Sequence, residues 1–534
     1  MAMKAAALSH LPPFRFWAFL PALLFLPMVL SPPANHDVAA VLQFTQRWLA
    51  GESLYTGLID VNPPLIFLLN LLPAAIAANT PLGAIAALRL CVLAYGLLCW
   101  RLAWLARDRG RAKAGEGAIE RAFLDALPLL FLLAAGYDFA QREHLMTMAA
   151  LPYLLAASRR CAGKAPRGQI PIALIAALGF ALKPHFLAVP ALVELCVLVS
   201  LRHRPGQSAI VKWLRDPTPW TLGLTWALYL TMIAAIFPEY FTIVVPLIQN
   251  AYLGIGEFTP WQLLILPRLA TAYALLLALA AYVFFRRPRI PPGPIPSGDA
   301  LPRLFALAGI AALAAALVQH KGWSYHIVPI ELFACALAGL LASRWLDRIG
   351  AAFHPPGAQK IAGVLAGLIG LYVLSNGEAP WKQLYYPNSE AAGLTRLLAR
   401  EAGGGRALVL SPGVYPIFPA FNDAGVTSTS RFTDLWALQG AYQTCLPDGR
   451  RYREPAEMGR AEAFVWRVVA SDFAARPPEA VVVDDNPGIP WCGAEFDFIA
   501  YFTRNPAFAE TWRRYHLAGR WQRYRVYTLK KDPK

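Results

Sequence analysis

From residue 14 to about residue 376 the sequence is a succession of apolar segments separated by short loops rich in Pro, Gly and Arg. Most of these segments approach the roughly 20 residues that a helix needs to cross a bilayer. A soluble core is not divided in this way. With 57% of residues hydrophobic and 15% charged, the composition excludes an ordinary soluble domain. The formal net charge of +16 raises nucleic-acid binding, which needs basic residues gathered on one face beside a groove. Here the cations of the apolar region lie in alternate loops, as the positive-inside bias demands, and that class is set aside. The first stretch, Phe14 to Ser31, follows Lys4 and Arg15 but holds Pro21 and Pro27 and has no small-residue cleavage site, so it reads as a retained anchor rather than a signal peptide.

Orientation turns on Pro64 to Ala78, about 15 residues with Pro73 inside. That length suits an interfacial or re-entrant helix better than a span. With it kept out of the bilayer, the spans are roughly 14–31, 82–104, 123–136, 145–157, 169–182, 186–201, 219–237, 263–285, 301–318, 326–343 and 360–375, about eleven in all. The loops then cytoplasmic, with the span ends beside them, carry 21 basic residues, among them Arg101, Arg107, Arg109, Arg111, Lys113, Arg159, Arg160, Arg204, Lys212, Arg287, Arg289 and Arg344. The opposite loops carry only Arg47, Arg142, Lys183 and Lys321. Letting 64–78 cross would invert this bias, so the N-terminus is expected in the cytoplasm and everything after about 376 in the periplasm.

Two domains follow: 1–378 in the membrane, with a periplasmic first loop at 32–81, and a soluble tail at 379–534. The tail has 20 Lys and Arg against 16 Asp and Glu, and short β runs in place of long apolar blocks. Strands are expected at 407–411, 480–484 and 524–529, and helices near 389–402, 461–475 and 506–514, a small α/β layer. Cys445 and Cys492 are the two cysteines of this tail; in an oxidising compartment they could pair, or remain two thiols.

Polar residues that apolar spans do not need gather at the outer helix ends: Asn35-His36-Asp37, Asp60-Val61-Asn62, the run Tyr137 to His144, Lys183-Pro184-His185, and the run His320 to His326. Ionisable residues on the side where cations are disfavoured point to a charged ligand. Arg142, Lys183 and Lys321, with His185 and His326, are the groups that a lipid-linked phosphate would need; the plainer reading is snorkelling side chains that anchor helix ends. Tyr55, Asn62, Asp138, Glu143, His320 and Tyr325 are candidates for positioning a substrate. Asp37, with His36 beside it, and Asp60, before a rigid Asn-Pro-Pro turn, are the candidate proton acceptors; the plainer reading is that either one caps a helix.

An acid just outside the first span, a loop with Tyr55, Asp60 and Pro63-Pro64-Leu65, and a span with the early Arg89 together resemble the GT-C superfamily of membrane glycosyltransferases. Its members include the protein O-mannosyltransferases and the lipid A aminoarabinose transferases. The GFALKPHFLAVP turn at 179–190 is similar to their Lys-containing turn between two short spans. The resemblance covers about 1–375 and is most specific in the first 90 residues. It implies a multi-pass bacterial inner-membrane protein that moves a sugar, with inversion, from a polyprenyl-phosphate donor to a periplasmic glycan, lipid or protein. It also implies Asp37 as the base and Lys183 as a phosphate-side cation. Many relatives have two adjacent acids where this chain has His36-Asp37, so either Asp60 supplies the second carboxylate or the acceptor chemistry differs.

Intramembrane Glu194 and Glu331 call for counter-ions, for which Arg89 and Arg268 are candidates. No cofactor is called for; a divalent cation is compatible with the acids but not indicated, and Asp484-Asp485 after a strand is too common a pattern to assign a metal. The rival reading is a transporter or a flippase of lipid-linked sugars, which would put its polar residues near mid-membrane and show paired halves. A scaffold with an inactive membrane part is a second rival.

Overall fold

Inside hydrocarbon each backbone N–H and C=O must be satisfied within its own segment, and the apolar segments of this chain are helical. The computed structural model describes residues 16–107, 117–256, 258–286, 297–350 and 355–530. Lys4, Arg15, Arg109, Arg111, Lys113, Arg287 and Arg289 of the charge argument lie outside the described residues, as does most of the Pro-rich loop at 286–298.

Seven described helices are long and apolar enough to cross a membrane: Ala84–Ala106, Pro184–Leu201, Pro217–Ile236, Pro267–Phe285, Ala300–Gln319, Ser324–Ile349 and Pro355–Asn376. The remaining expected spans are shorter, broken or charged at their ends. The first is two helices, Phe16–Leu23 and Leu26–Leu30, each carrying a proline. The others are Ala118–Leu133, Arg142–Cys161 and Gln169–Ala181. The stretch withheld from the bilayer forms the 15-residue helix Leu65–Asn79, with Pro73 inside it.

The chain folds as two compact units. The first comprises Met1–Pro32, Arg89–Thr231 and Phe258–Gln383. Its helix Ser324–Ile349 is buried along most of its length, and helix Pro355–Asn376 packs against the first helix so closely that a Cβ at Gly363 would stand 2.2 Å from the Trp17 carbonyl oxygen. Small residues allow such approaches between membrane helices. Glu331 takes Arg268 at 2.7 Å. Glu194 takes Arg160 rather than Arg89, at 2.6 and 2.7 Å, with Tyr153 and Trp213 also donating to it. Arg89 instead donates to the Ser31 carbonyl. The expected partner of Glu194 was therefore the wrong one, because Arg160 at a helix end reaches back to it. Asp216 shares Arg160 at 2.6 Å, and Arg344 pairs with Glu120 at 2.8 Å.

The second unit comprises Pro33–Leu88, Met232–Glu257 and Leu384–Lys534, so the first long loop packs with the tail. Its centre is a five-stranded sheet, in the order β2-β1-β3-β5-β4, of β1 (Arg406–Leu410), β2 (Thr427–Ser428), β3 (Ala480–Asp484), β4 (Tyr515–Trp521) and β5 (Tyr524–Leu529). The first three strands run parallel; β5 is antiparallel to β3, and β4 to β5. Helices Glu390–Ala402 and Arg460–Ala475 lie where the sequence places them, and Pro506–Trp512 ends slightly short of expectation. Strands β2 and β4 are additions. Leu394, Leu398, Phe421, Val409 and Val482 form one core layer, into which Ala39 and Ala40 of the first loop also pack. Leu408, Val481, Val465, Phe473 and Phe508 form the other, joined by Ile59, Leu247 and Ala251. Cys445 and Cys492 form a disulfide with Cα atoms 5.4 Å apart, closing residues 47 apart in sequence.

Removing one partner of a buried ion pair costs more than replacing the pair by apolar groups. Arg160→Ala should lower the detergent melting temperature by an amount equivalent to about 3–5 kcal/mol, and the triple substitution Arg160→Met/Glu194→Met/Asp216→Asn, which leaves neither carboxylate unpaired, should recover most of it. A single variant as stable as the parent would show that the pair contributes nothing.

Candidate functional site

In the second unit, helix His36–Leu49 starts at Asn35, whose side chain accepts from the Asp37 N–H at 3.1 Å. Asn35, not Asp37, is therefore the cap. Asp37 stands in the first turn, where helix N–H groups favour a carboxylate. His36 Nε2 is 3.6 Å from Asp37 Oδ1, and the Asp37 side chain is 21% exposed, open enough to meet a substrate. The helix is tied to the tail: Gln43 donates to the Val426 carbonyl, Asn422 to the Ala39 carbonyl and buried Arg47 to the Ser430 carbonyl at 2.8 Å. Arg47 also clasps Glu52 with two hydrogen bonds, so this cation is structural.

Asp60 is buried, and its Oδ1 accepts from the Asn62 N–H at 2.7 Å and from Asn62 Nδ2 at 2.6 Å. The pair fixes the turn into Pro63-Pro64. Tyr55 donates to the Asn62 carbonyl at 2.7 Å and stacks edgewise with Phe67 and Phe237. Its φ of +69° is a conformation that an aromatic residue enters at a cost, which the surrounding contacts must hold. Asp60, Asn62 and Tyr55 thus form one rigid turn.

A residue that sequence reasoning missed joins these acids. Ile59 pairs in parallel with Phe432 of the tail, its N–H donating to the Arg431 carbonyl at 2.7 Å. The two extended segments therefore run side by side, and Asp434 follows shortly after the bridge. Asp434 is 6% exposed and accepts from the Thr433 hydroxyl at 2.7 Å. Burial, then the charges of Asp37 and Asp60, push its carboxyl up to about 8 against the lowering effect of Thr433. Crowded carboxylates cannot all ionise cheaply. The only signal in the sequence is an acid, after Thr433, in the largely apolar run Phe432 to Leu438.

In the first unit, Lys183 Nζ meets Glu143 Oε1 at 2.6 Å, and His326 Nε2 is 3.8 Å from the same oxygen. Tyr325 forms the floor, with Lys183 5.0 Å and Arg142 5.9 Å from its ring centroid. Lys321 lies 5.9 Å from the ring of Trp323, which in turn contacts Tyr325 and His326. Arg142, Glu143, Lys321 and His326 are all buried. His185 is within electrostatic reach of Lys183 and Arg142. Asp138 accepts from the Ser324 hydroxyl at 3.0 Å and is 3.8 Å from Arg268. His320, at φ +54°, faces the Phe258 carbonyl at 3.2 Å. His144 accepts from the Ala140 N–H at Nδ1 and meets the Phe131 carbonyl at Nε2, which fixes a neutral ring with its proton on Nε2. The cations, Tyr325, Glu143 and His326 of the sequence reading therefore converge, whereas His320 turns to the backbone. Asp484 and Asp485 of the second unit are engaged by Ser411, Arg523 and Arg525, and no group of three metal-type ligands occurs among the described residues.

No protein-family model matches the sequence, and no curated protein matches it. Among solved structures the chain is similar to the crystal structure of ArnT from Cupriavidus metallidurans in the apo state, at 14% identity over 93% of each chain with a TM-score of 0.44. It is also similar to the crystal structure of that protein bound to undecaprenyl phosphate, at 15% identity over 96% of each chain with a TM-score of 0.42.

Asp434 keeps its proton in the folded chain up to about pH 8, whereas an unfolded Asp loses it near pH 4. Between those values the folded state binds the extra proton, so the contribution of this group to stability falls as pH rises. Asp434→Asn should therefore melt a few degrees above the parent at pH 9, with the gap closing toward pH 5. A gap that does not change with pH would mean that Asp434 is not protonated in the folded state.

Proposed function

We propose that the chain is a membrane glycosyltransferase that moves a sugar, with inversion, from a polyprenyl-phosphate donor to a hydroxyl of an envelope glycan, lipid or protein. The observation that carries this reading is the association of Asp37 and Asp60 with the buried acid Asp434 inside one packed unit. Further support comes from the cations Arg142 and Lys183 beside Tyr325 and Lys321 beside the neighbouring Trp323, and from the first-loop resemblance to the GT-C superfamily. In this orientation the N-terminus is cytoplasmic and the second unit faces the periplasm of a bacterial inner membrane.

The chemistry follows from these groups. The acceptor oxygen attacks the anomeric carbon as the bond from that carbon to the phosphate oxygen breaks, and its electron pair leaves with the polyprenyl phosphate. Asp37 takes the hydroxyl proton, with His36 beside it to orient or share it. Asp60, held by Asn62 and Tyr55, offers the second carboxylate to the electron-poor sugar. A neutral Asp434 keeps the cluster from carrying a third negative charge. Lys183, Arg142 and Lys321 of the first unit are the groups suited to bind the phosphate of the lipid-linked donor; His326 and His185 line the same cluster. Glu143 orients Lys183, and Asp138 stands with Ser324 and Arg268. Against a transporter, the intramembrane acids Glu194 and Glu331 are each held by an arginine and are not left for a passing substrate.

Transfer from radiolabelled polyprenyl-phosphate sugars, measured in membranes with the chain at matched folded amounts, tests this. Asp37→Asn should lower the turnover number by about 10²–10⁴-fold with little change in donor KM. Lys183→Ala should chiefly raise donor KM, by about tenfold. Full activity in Asp37→Asn would remove it as the base, and no transfer from any donor by the parent chain would shift the reading to a transporter.

A further inference from the structure

Away from these clusters, the second unit has a recess of about 350 Å3 between helix Glu390–Ala402 and the edge strand β4. Arg396 and Arg400, one turn apart on the helix, line one side; Arg520 and Trp521 line the other, and Glu401 is the only carboxylate among the lining residues. Like charges four residues apart weaken a helix, and a third guanidinium across the cleft adds to the repulsion. The contacts they make inside the chain are few. Arg396 donates to the Pro387 carbonyl at 3.3 Å, Arg400 to Glu401 at 2.7 Å, and Arg520 lies 3.4 Å from Asp485. Each guanidinium has five donors, so most remain available to water or a ligand.

The indole of Trp521 is fixed on two sides. It stacks on Tyr524, with ring centroids 5.8 Å apart and planes 9° from parallel. It also fills the space beside Gly393, where a Cβ would stand 2.1 Å from the ring. A rigid aromatic surface suits the apolar face of a pyranose ring, while a planar fork of donors suits a phosphate or a carboxylate. The volume is at the lower end of small-ligand pockets, enough for one charged sugar unit and too short for a lipid chain.

We propose that this recess binds an anionic saccharide, with Arg396, Arg400 and Arg520 holding the phosphate or carboxylate and Trp521 supporting the ring. The inference goes beyond the transfer reading and stands without it, since it requires binding and no chemistry. The test is calorimetric titration of the full-length chain in detergent with glucose 1-phosphate, glucuronate, glucose and inorganic phosphate. The two anionic sugars should bind about tenfold more tightly than glucose or inorganic phosphate. Arg396→Gln/Arg400→Gln should abolish that preference while size-exclusion profile and melting temperature stay as in the parent. These arginines are exposed, so the double variant should fold; Trp521→Leu should lose the preference for the sugar phosphate over inorganic phosphate. Equal binding of inorganic phosphate and glucose 1-phosphate would reduce the recess to a simple anion patch and overturn the proposal. So would no detectable binding of either anionic sugar, unchanged affinity in the double variant, or binding only to vesicles of anionic lipid.

Discussion

A charge taken out of water must bring its counter-ion with it, and the first unit is organised by that requirement. Glu331 with Arg268, Glu194 with Arg160 and Glu120 with Arg344 each join different helices, and Glu143 ties its helix to the turn that carries Lys183. Such pairs add little net stability over apolar packing, but they fix which helices are neighbours and in what register. Once Arg268 is held by Glu331 it can also face Asp138, and once Glu143 is anchored it can aim Lys183 at Tyr325. The cation cluster is thus an outgrowth of the same electrostatics that lets the helices pack.

The second unit follows a different logic. Its sheet could have covered its faces with helices of the tail alone, but Ala39, Ala40 and Ile59 from the first loop complete the two core layers. The loop gains a rigid support in return. Asp37 sits on a helix tied to the tail by Gln43, Asn422 and Arg47, and Asp60 sits on a turn whose strained Tyr55 is enclosed by aromatic rings. Rigid placement of this kind lowers the reorganisation that a reacting group must undergo.

The bilayer-length segments were legible because hydropathy and length act locally: seven of the expected spans fall on helices long and apolar enough to cross, and the rest on shorter, broken or end-charged helices. The positions of β1, β3 and β5 were equally open, since Leu408, Val482 and Val526 belong to short β-branched or aliphatic runs. β4 was not, because His516, Arg520 and Gly519 give an edge strand a polar, bulged sequence. The pairing of Glu194 with Arg160 was missed for a related reason: a long side chain at a helix end reaches beyond the loop its number suggests. Asp434 was missed because a single acid in a largely apolar run is its only local mark. Its significance comes from a bridge between Ile59 and Phe432 that only the folded chain makes.

That union of segments far apart in sequence sets an order in time. Gln43 and Val426, and likewise Arg47 and Ser430, are separated by 383 residues. During synthesis, helix His36–Leu49 leaves the ribosome long before its partners do. Its apolar face must wait, uncovered or in the care of a chaperone, while the helices that follow are inserted. The second unit is completed only by strands made long after that helix, so a chain cut short before β5 leaves the early-made candidate base without its support, and quality control has a reason to destroy it.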